Sequence, residues 1–176
     1  MTREDLEKKC PNDPWVNEAD AIAKYPRLIH AANPAAKGIE VGCGGRKAFK
    51  LAIGIDLLIG GQFYKDVSVV ASGDKLPYAD GELDYVISNH NIEHYLDPLN
   101  TFNEWRRVLK VGGVMAFCCP DCWGLGSQTF TLNAQHKYVT SLVIMKELVA
   151  MAGGFELLEE GVPIPKWSIY LAYKKV

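Results

Sequence analysis

The chain has 176 residues, 48% of them hydrophobic and 23% charged, which is the composition of a folded globular protein with one domain's worth of core. Nineteen Lys and Arg face 21 Asp and Glu, a formal charge of −2 that gives a phosphate backbone little to attract, so nucleic acid is disfavoured as a partner. The start MTREDLEKK lacks the apolar run of a secretion signal, and no stretch approaches a membrane span. The five cysteines Cys10, Cys43, Cys118, Cys119 and Cys122 are odd in number and crowded, unlike a secreted disulfide framework, so a reduced, cytoplasmic protein is expected.

In chain order, residues 1–35 read as a polar, Pro-punctuated N-terminal helical segment, with Asn17 as the cap of a short helix over 18–24. Residues 36–176 read as the main domain. Ala36–Val41 is an apolar strand running into a glycine cluster, Ala52–Asp56 a second strand, Val67–Ser72 a third and Asp84–Ser88 a fourth. Asp97-Pro98 pairs a capping residue with Pro at the first helical position, and Leu99, Phe102, Val108 and Leu109 form a helical stripe ended by Gly112-Gly113. Val114–Cys119 is a fifth strand, followed by a loop over 120–139 long enough to suspect function, with Trp123 and Phe130 as candidate lid residues. A helix over Ser141–Ala152 and closing strands at Phe155–Glu160 and Trp167–Tyr173 complete the pattern. Strands alternating with helices argue for an α/β fold on a parallel sheet.

The turn Gly42-Cys43-Gly44 follows the first strand, but a dinucleotide fingerprint needs a third glycine where Lys47 stands, so a nicotinamide reductase is disfavoured. Glu40, Asp56 and Asp74 close the first three strands in order, and ligands of open α/β sheets lie at that edge. A carboxylate after the second strand can accept both hydroxyls of a ribose, and one after the third can meet an adenine amino group. The pair Cys119…Cys122 has no second pair to complete a zinc site, and buried thiols with no metal are expected.

With these residues in view, the sequence resembles the class I S-adenosylmethionine-dependent methyltransferases of the type-11 family. IEVGCG (39–44), GID (54–56), GDKLPYADGELDYVIS (73–88), IEH (92–94), EWRRVLKVGG (104–113) and AGGFE (152–156) carry the likeness. The resemblance implies a Rossmann-like, doubly wound, mostly parallel seven-strand sheet with an antiparallel last strand, binding S-adenosyl-L-methionine. Gly42, Cys43 and Gly44 would approach the methionine part of the cofactor, and Glu40 would orient the turn and meet the ammonium. Asp56 would hold the ribose, Leu57 would lie on the adenine face, and the Gly73-Asp74-Lys75-Leu76 stretch would read the adenine edge through the Asp74 carboxylate and the amide after it. Asn89, between Ser88 and His90, would line the methionine end.

Two departures from the family pattern stand out: Arg46 replaces the third glycine, and only 16 residues separate Glu40 from Asp56. The first crossover helix is therefore expected to be shortened or missing, as in a compact subgroup of glycan-pathway methyltransferases. The resemblance implies transfer of a methyl group to a small-molecule or sugar acceptor, with O-methylation favoured, by a monomer or homodimer. A catalytically silent cofactor-binding or partner subunit is the alternative. His90, His94 and Asp121, after the fourth and fifth strands, are the candidate proton acceptors. Adenine-methylating enzymes carry a Pro-Pro motif where this chain reads Ser88-Asn89-His90-Asn91, which argues against a nucleobase acceptor.

Overall fold

A computed structural model of the chain describes residues 15–57, 64–125 and 134–176. Seven strands form one sheet: β1 (Gly38–Val41), β2 (Ile53–Asp56), β3 (Val69–Val70), β4 (Leu83–Asn89), β5 (Leu109–Pro120), β6 (Phe155–Ile164) and β7 (Ser168–Lys175). Their order is β3-β2-β1-β4-β5-β7-β6. The first five run parallel, and β7 lies antiparallel between β5 and β6. This is the doubly wound, mostly parallel architecture expected from the motifs.

Helix α1 (Trp15–Ala32) covers one face of the sheet over β4–β7, and helices α2 (Pro98–Val108) and α4 (Leu142–Ala152) pack together on the other. The strand pleat sorts the core between the layers, because successive side chains point to opposite faces. Met115, Phe117 and Cys119 of β5 and Ile169, Leu171 and Tyr173 of β7 enter the cluster under α2 and α4. Ala116, Cys118, Tyr170 and Ala172 turn to α1, where small residues admit the helix. Asp97 caps α2 by accepting from the Asn100 amide at 2.9 Å, and Ser141 caps α4 by accepting from Ile144 at 3.2 Å.

Several boundaries differ from the sequence reading. Helix α1 extends well beyond 18–24, so Asn17 lies inside it and not at its cap, and Pro26 is an interior residue. Val16, Ala19, Ile22, Ala23 and Pro26 are all buried on one stripe, and that burial outweighs the hydrogen bond Pro26 cannot donate. The helix expected to end at the glycine pair stops at Val108. Leu109 turns extended (ψ 140°), and β5 starts there, five residues early, with Gly112 at φ +82° inside it. No helix bridges β1 and β2 among the described residues, so the first crossover is reduced to turns. Within the 120–139 loop, Cys122–Leu125 form a single turn, α3, while Phe130 and the rest of 126–133 lie outside the described residues, as does Cys10.

Candidate functional site

Register places the site. Val41 pairs with Ile55 and Ser88, Asp56 with Val70, and Asn89 with Cys118, so the carboxyl ends of β1–β5 form one continuous edge. Gly42, Asp56, Asp74, His90 and Asp121 all follow strands at that edge.

The glycine turn is built from positive-φ backbone. Gly42 sits at φ +70°, and a Cβ there would come within 2.4 Å of the Asn91 side chain. Gly44, at φ +51°, faces open space, with nothing within 4 Å of where its Cβ would stand. Asp56 stitches this turn to the end of β2, its Oδ2 accepting from the Gly44 amide and its Oδ1 from the Leu57 amide, each at 2.7 Å. Leu57 is exposed. The Cys43 side chain points below the turn, its Sγ 3.6 Å from the Gly44 carbonyl oxygen, and burial pushes its thiol up to about 12. What the turn presents is backbone, not sulfur. Where the family has a third glycine, the Arg46 guanidinium lies over the Trp15 ring at 4.2 Å, tying the turn to α1.

Glu40 takes over part of the work of the missing crossover helix. It is 2% exposed and accepts from the amides of Ala48 at 2.8 Å and Phe49 at 3.2 Å, fixing the chain just after the turn. Burial pushes its carboxyl up to about 7, although those amides and Lys47 pull the other way.

Around Gly73 the third acidic loop is clamped. The Gly73 amide donates to the Tyr95 hydroxyl at 3.0 Å, Tyr95 donates to Asn91 Oδ1 at 2.9 Å, and Trp105 Nε1 donates to the Gly73 carbonyl at 2.9 Å. Gly73 has no room for a Cβ, which would meet Tyr95 and Val41 at 2.4 Å. Glu104 accepts from the Leu76 amide, and Arg107 donates to the Leu76 and Tyr78 carbonyls and to Asp80. The LPYADGELD and EWRRVLKVGG stretches thus hold each other in place across α2. The Lys75 amide donates to the Ser72 carbonyl at 3.1 Å and the Leu76 amide to Glu104 at 2.7 Å, so neither is left for an adenine edge. The Leu76 side chain is buried in the core, and the Asp74 carboxylate, bonded to the Ser72 hydroxyl, is the group this loop offers.

Beyond β4 the chain makes a polar cluster. His90 is held at φ +48°, in the left-handed region that non-glycine residues rarely adopt. Its Nε2 bonds Glu18 Oε1 of α1 at 2.8 Å, and its Nδ1 lies 3.4 Å from Glu93 Oε1. Burial would lower the imidazole's pKa, but the two carboxylates outweigh it and raise it to about 10. His90 thus sits between the buried Glu18 and Glu93 carboxyl groups, which favour its charged form, and the expectation of a neutral base is not supported for it. The His94 ring lies 5.1 Å from that of His136. Asp121 accepts from the Trp123 amide at 3.2 Å and caps the α3 turn. Asn89 ends β4 with a buried Oδ1 that accepts no hydrogen bond among the described residues.

An orphaned acceptor at Asn89, an open backbone at Gly44 and the carboxylates of Asp56 and Asp74 along one edge fit a ligand carrying an ammonium, a ribose and an adenine. Glu18, Tyr95, Trp105 and Asp66 escaped the sequence reading. Asp66 accepts from the Lys47 amide at 3.2 Å. Their partners are 19–72 positions away in sequence, and only the Trp inside the EWRRVLKVGG motif carried any local signal.

A seven-strand sheet with this order and this edge is the Rossmann-like architecture of class I methyltransferase domains. Residues 39–117 match the family described as Methyltransferase domain. An uncharacterized protein of Methanocaldococcus jannaschii is 34% identical over 113 residues, covering 57% of this chain and 53% of that protein. An uncharacterized methyltransferase of Mycobacterium sp. (strain KMS) is 39% identical over 56 residues, covering 32% of this chain and 20% of the relative. The chain thus spans about half or less of the curated relatives it matches. Among solved structures, a SAM-dependent methyltransferase from Thermotoga maritima superposes with a TM-score of 0.65 at 20% identity, covering 93% of this chain and 100% of that one. A chain from the complex of the Haloferax volcanii Trm112 methyltransferase activator with a methyltransferase superposes at 0.64 with 16% identity, covering 98% and 93%. At these identities the likeness establishes the fold.

Proposed function

We propose that the protein is an S-adenosylmethionine-dependent methyltransferase acting on a hydroxyl of a small-molecule or sugar acceptor in the cytoplasm. The observation that carries this reading is the ordered edge of Gly44, Asp56, Asp74 and Asn89 described above. The cofactor, when bound, supplies an activated methyl group on its sulfonium. The chain's task is then to align the acceptor for in-line displacement and to take its proton. Asp56 would hold the ribose hydroxyls in place of its present Gly44 and Leu57 amide contacts, Leu57 would cover one adenine face, and the Asp74 carboxylate would accept from the adenine amino group. Asn89 Oδ1 would accept from the methionine ammonium. His94 is the proton acceptor in this reading, because the two carboxyl groups beside His90 favour its charged form; Asp121 is its reserve. Four cysteines, Cys43, Cys118, Cys119 and Cys122, are free thiols, which supports a reducing compartment.

Calorimetry with S-adenosylhomocysteine tests the site. Asp56→Ala is expected to weaken binding ten- to a hundredfold, from the loss of charged hydrogen bonds worth about 1.5–3 kcal/mol. Equal affinity would remove Asp56 from the ribose site, and no binding by either protein would overturn the reading. The likeness to an activator-bound complex favours one second reading, a subunit that turns over only with a partner protein. Cofactor binding without turnover on any acceptor, restored by a co-purifying protein, would select it.

A further inference from the structure

The best-defined cluster outside the cofactor edge lies under the β4 end. Glu93 is 1% exposed, and neither of its carboxylate oxygens accepts a hydrogen bond among the described residues. A fully desolvated carboxylate without a hydrogen bond is costly unless a cation faces it. His90 Nδ1 approaches Oε1 to 3.4 Å, and His136 Nε2 stands 3.8 Å from the same oxygen. His94, the next residue in the chain, completes the group. A carboxylate oxygen of Glu93 and one nitrogen from each of His94 and His136 all lie within 4.8 Å of one another. The backbone reinforces this meeting of distant segments, for the Lys137 amide donates to the Glu93 carbonyl at 2.9 Å.

We propose that Glu93, His94 and His136 form a three-ligand site for a divalent transition-metal ion of the zinc or ferrous type. Two imidazoles and one carboxylate are a borderline nitrogen–oxygen donor set, the kind that suits these ions and not calcium or magnesium. Ligand atoms around a tetrahedral ion with bonds of about 2.05 Å stand about 3.4 Å apart. No separation here exceeds 4.8 Å, so closing on an ion takes shifts of roughly 1 Å or less, within reach of imidazole rotation. Three protein ligands leave at least one coordination position open, as in catalytic and not structural zinc sites. The second carboxylate contact, to His90, then acts as the outer support that orients the metal-binding carboxylate, and Glu18 supports His90 in turn. Ion binding stands on this geometry alone. That the open position receives the acceptor's hydroxyl and acidifies it rests on the methyl-transfer reading above; with the ion bound, His94 is a ligand and not the proton acceptor, and Asp121 takes that proton.

The experiment is titration of metal-stripped protein with zinc chloride by calorimetry, with cobalt(II) substitution followed by visible absorption. One ion per chain is expected, together with a tetrahedral or five-coordinate cobalt spectrum and a melting temperature that rises with zinc and returns in EDTA. His136→Ala and His94→Ala should each weaken zinc binding by more than a hundredfold, since loss even of an outer-shell partner costs about 10–100-fold. Cys122→Ser should bind as the parent does. Failure of the parent to bind zinc, or equal binding by both histidine variants, overturns the site and leaves the cluster an ion-pair network of His90, Glu93 and His136. Zinc binding that survives while S-adenosylhomocysteine binding fails would overturn the methyl-transfer reading and keep the metal site.

Discussion

Replacing Glu40 with Gln should change how stability depends on pH. The carboxyl is buried and bonded to the Ala48 and Phe49 amides, with Lys47, Asp66, Cys43 and Tyr85 as the titratable groups around it, and its pKa rises from 4.5 to about 7. Between pH 4.5 and 7 the folded protein holds a proton that the unfolded chain releases, so stability falls as pH rises through that window and levels off above it. A shift of about 2.5 units at 1.36 kcal/mol per unit amounts to about 3 kcal/mol. Gln keeps an acceptor for the amides and carries no charge. Its stability relative to the parent should therefore improve by roughly 3 kcal/mol from pH 4.5 to pH 8. Urea denaturation of both proteins across that range measures the difference and cancels the other titrating groups. A difference independent of pH would refute the reasoning, and a parent that gained stability with rising pH relative to Glu40→Gln would reverse it. The same variant should lose affinity for S-adenosylhomocysteine only if Glu40 meets the cofactor's ammonium, which calorimetry at pH 8 reads separately.

Gly42→Ala should cost about 1–2 kcal/mol from the left-handed backbone alone, and more from the clash with Asn91, with S-adenosylhomocysteine affinity falling in parallel. Trp105→Phe leaves the Gly73 carbonyl without its donor and should destabilise the fold by about 1–3 kcal/mol in chemical denaturation. His90→Gln strips the imidazole from two buried carboxyl groups and should cost about 3–5 kcal/mol, whereas His94→Ala should leave the melting temperature in EDTA unchanged. In a turnover assay His94→Ala should fall at least about a hundredfold at unchanged cofactor affinity, and a loss below tenfold would remove it as the proton acceptor.

Much of the fold was written locally. The alternation of Tyr85, Ile87, Ala116 and Cys118 against Val86, Met115 and Phe117 is a property of the strand pleat, so a sequence with that period declares its two faces before it folds. Asp97-Pro98 and Ser141 start their helices through bonds spanning three residues. The 16-residue gap between Glu40 and Asp56 left no length for a full crossover helix, and the structure has none there among the described residues. Boundaries were less legible where neighbours decided them. Leu109 fits a helical stripe, but pairing with Leu83 draws it into β5, and Pro26 reads as a break until the sheet buries it.

The sequence by itself determined the strand periods, the caps, the glycine turn and the order of acidic residues along the carboxyl edge, because each depends on contacts a few residues apart. The tertiary structure alone decided the state of His90, which follows from Glu18 arriving on a helix 72 positions earlier and Glu93 closing from below. It alone set His136 beside Glu93 and His94, 43 positions on from Glu93, where no spacing rule could have placed it. A charge or ligand cluster depends on which groups share a low-dielectric pocket, and chain folding fixes that through packing and not through local sequence.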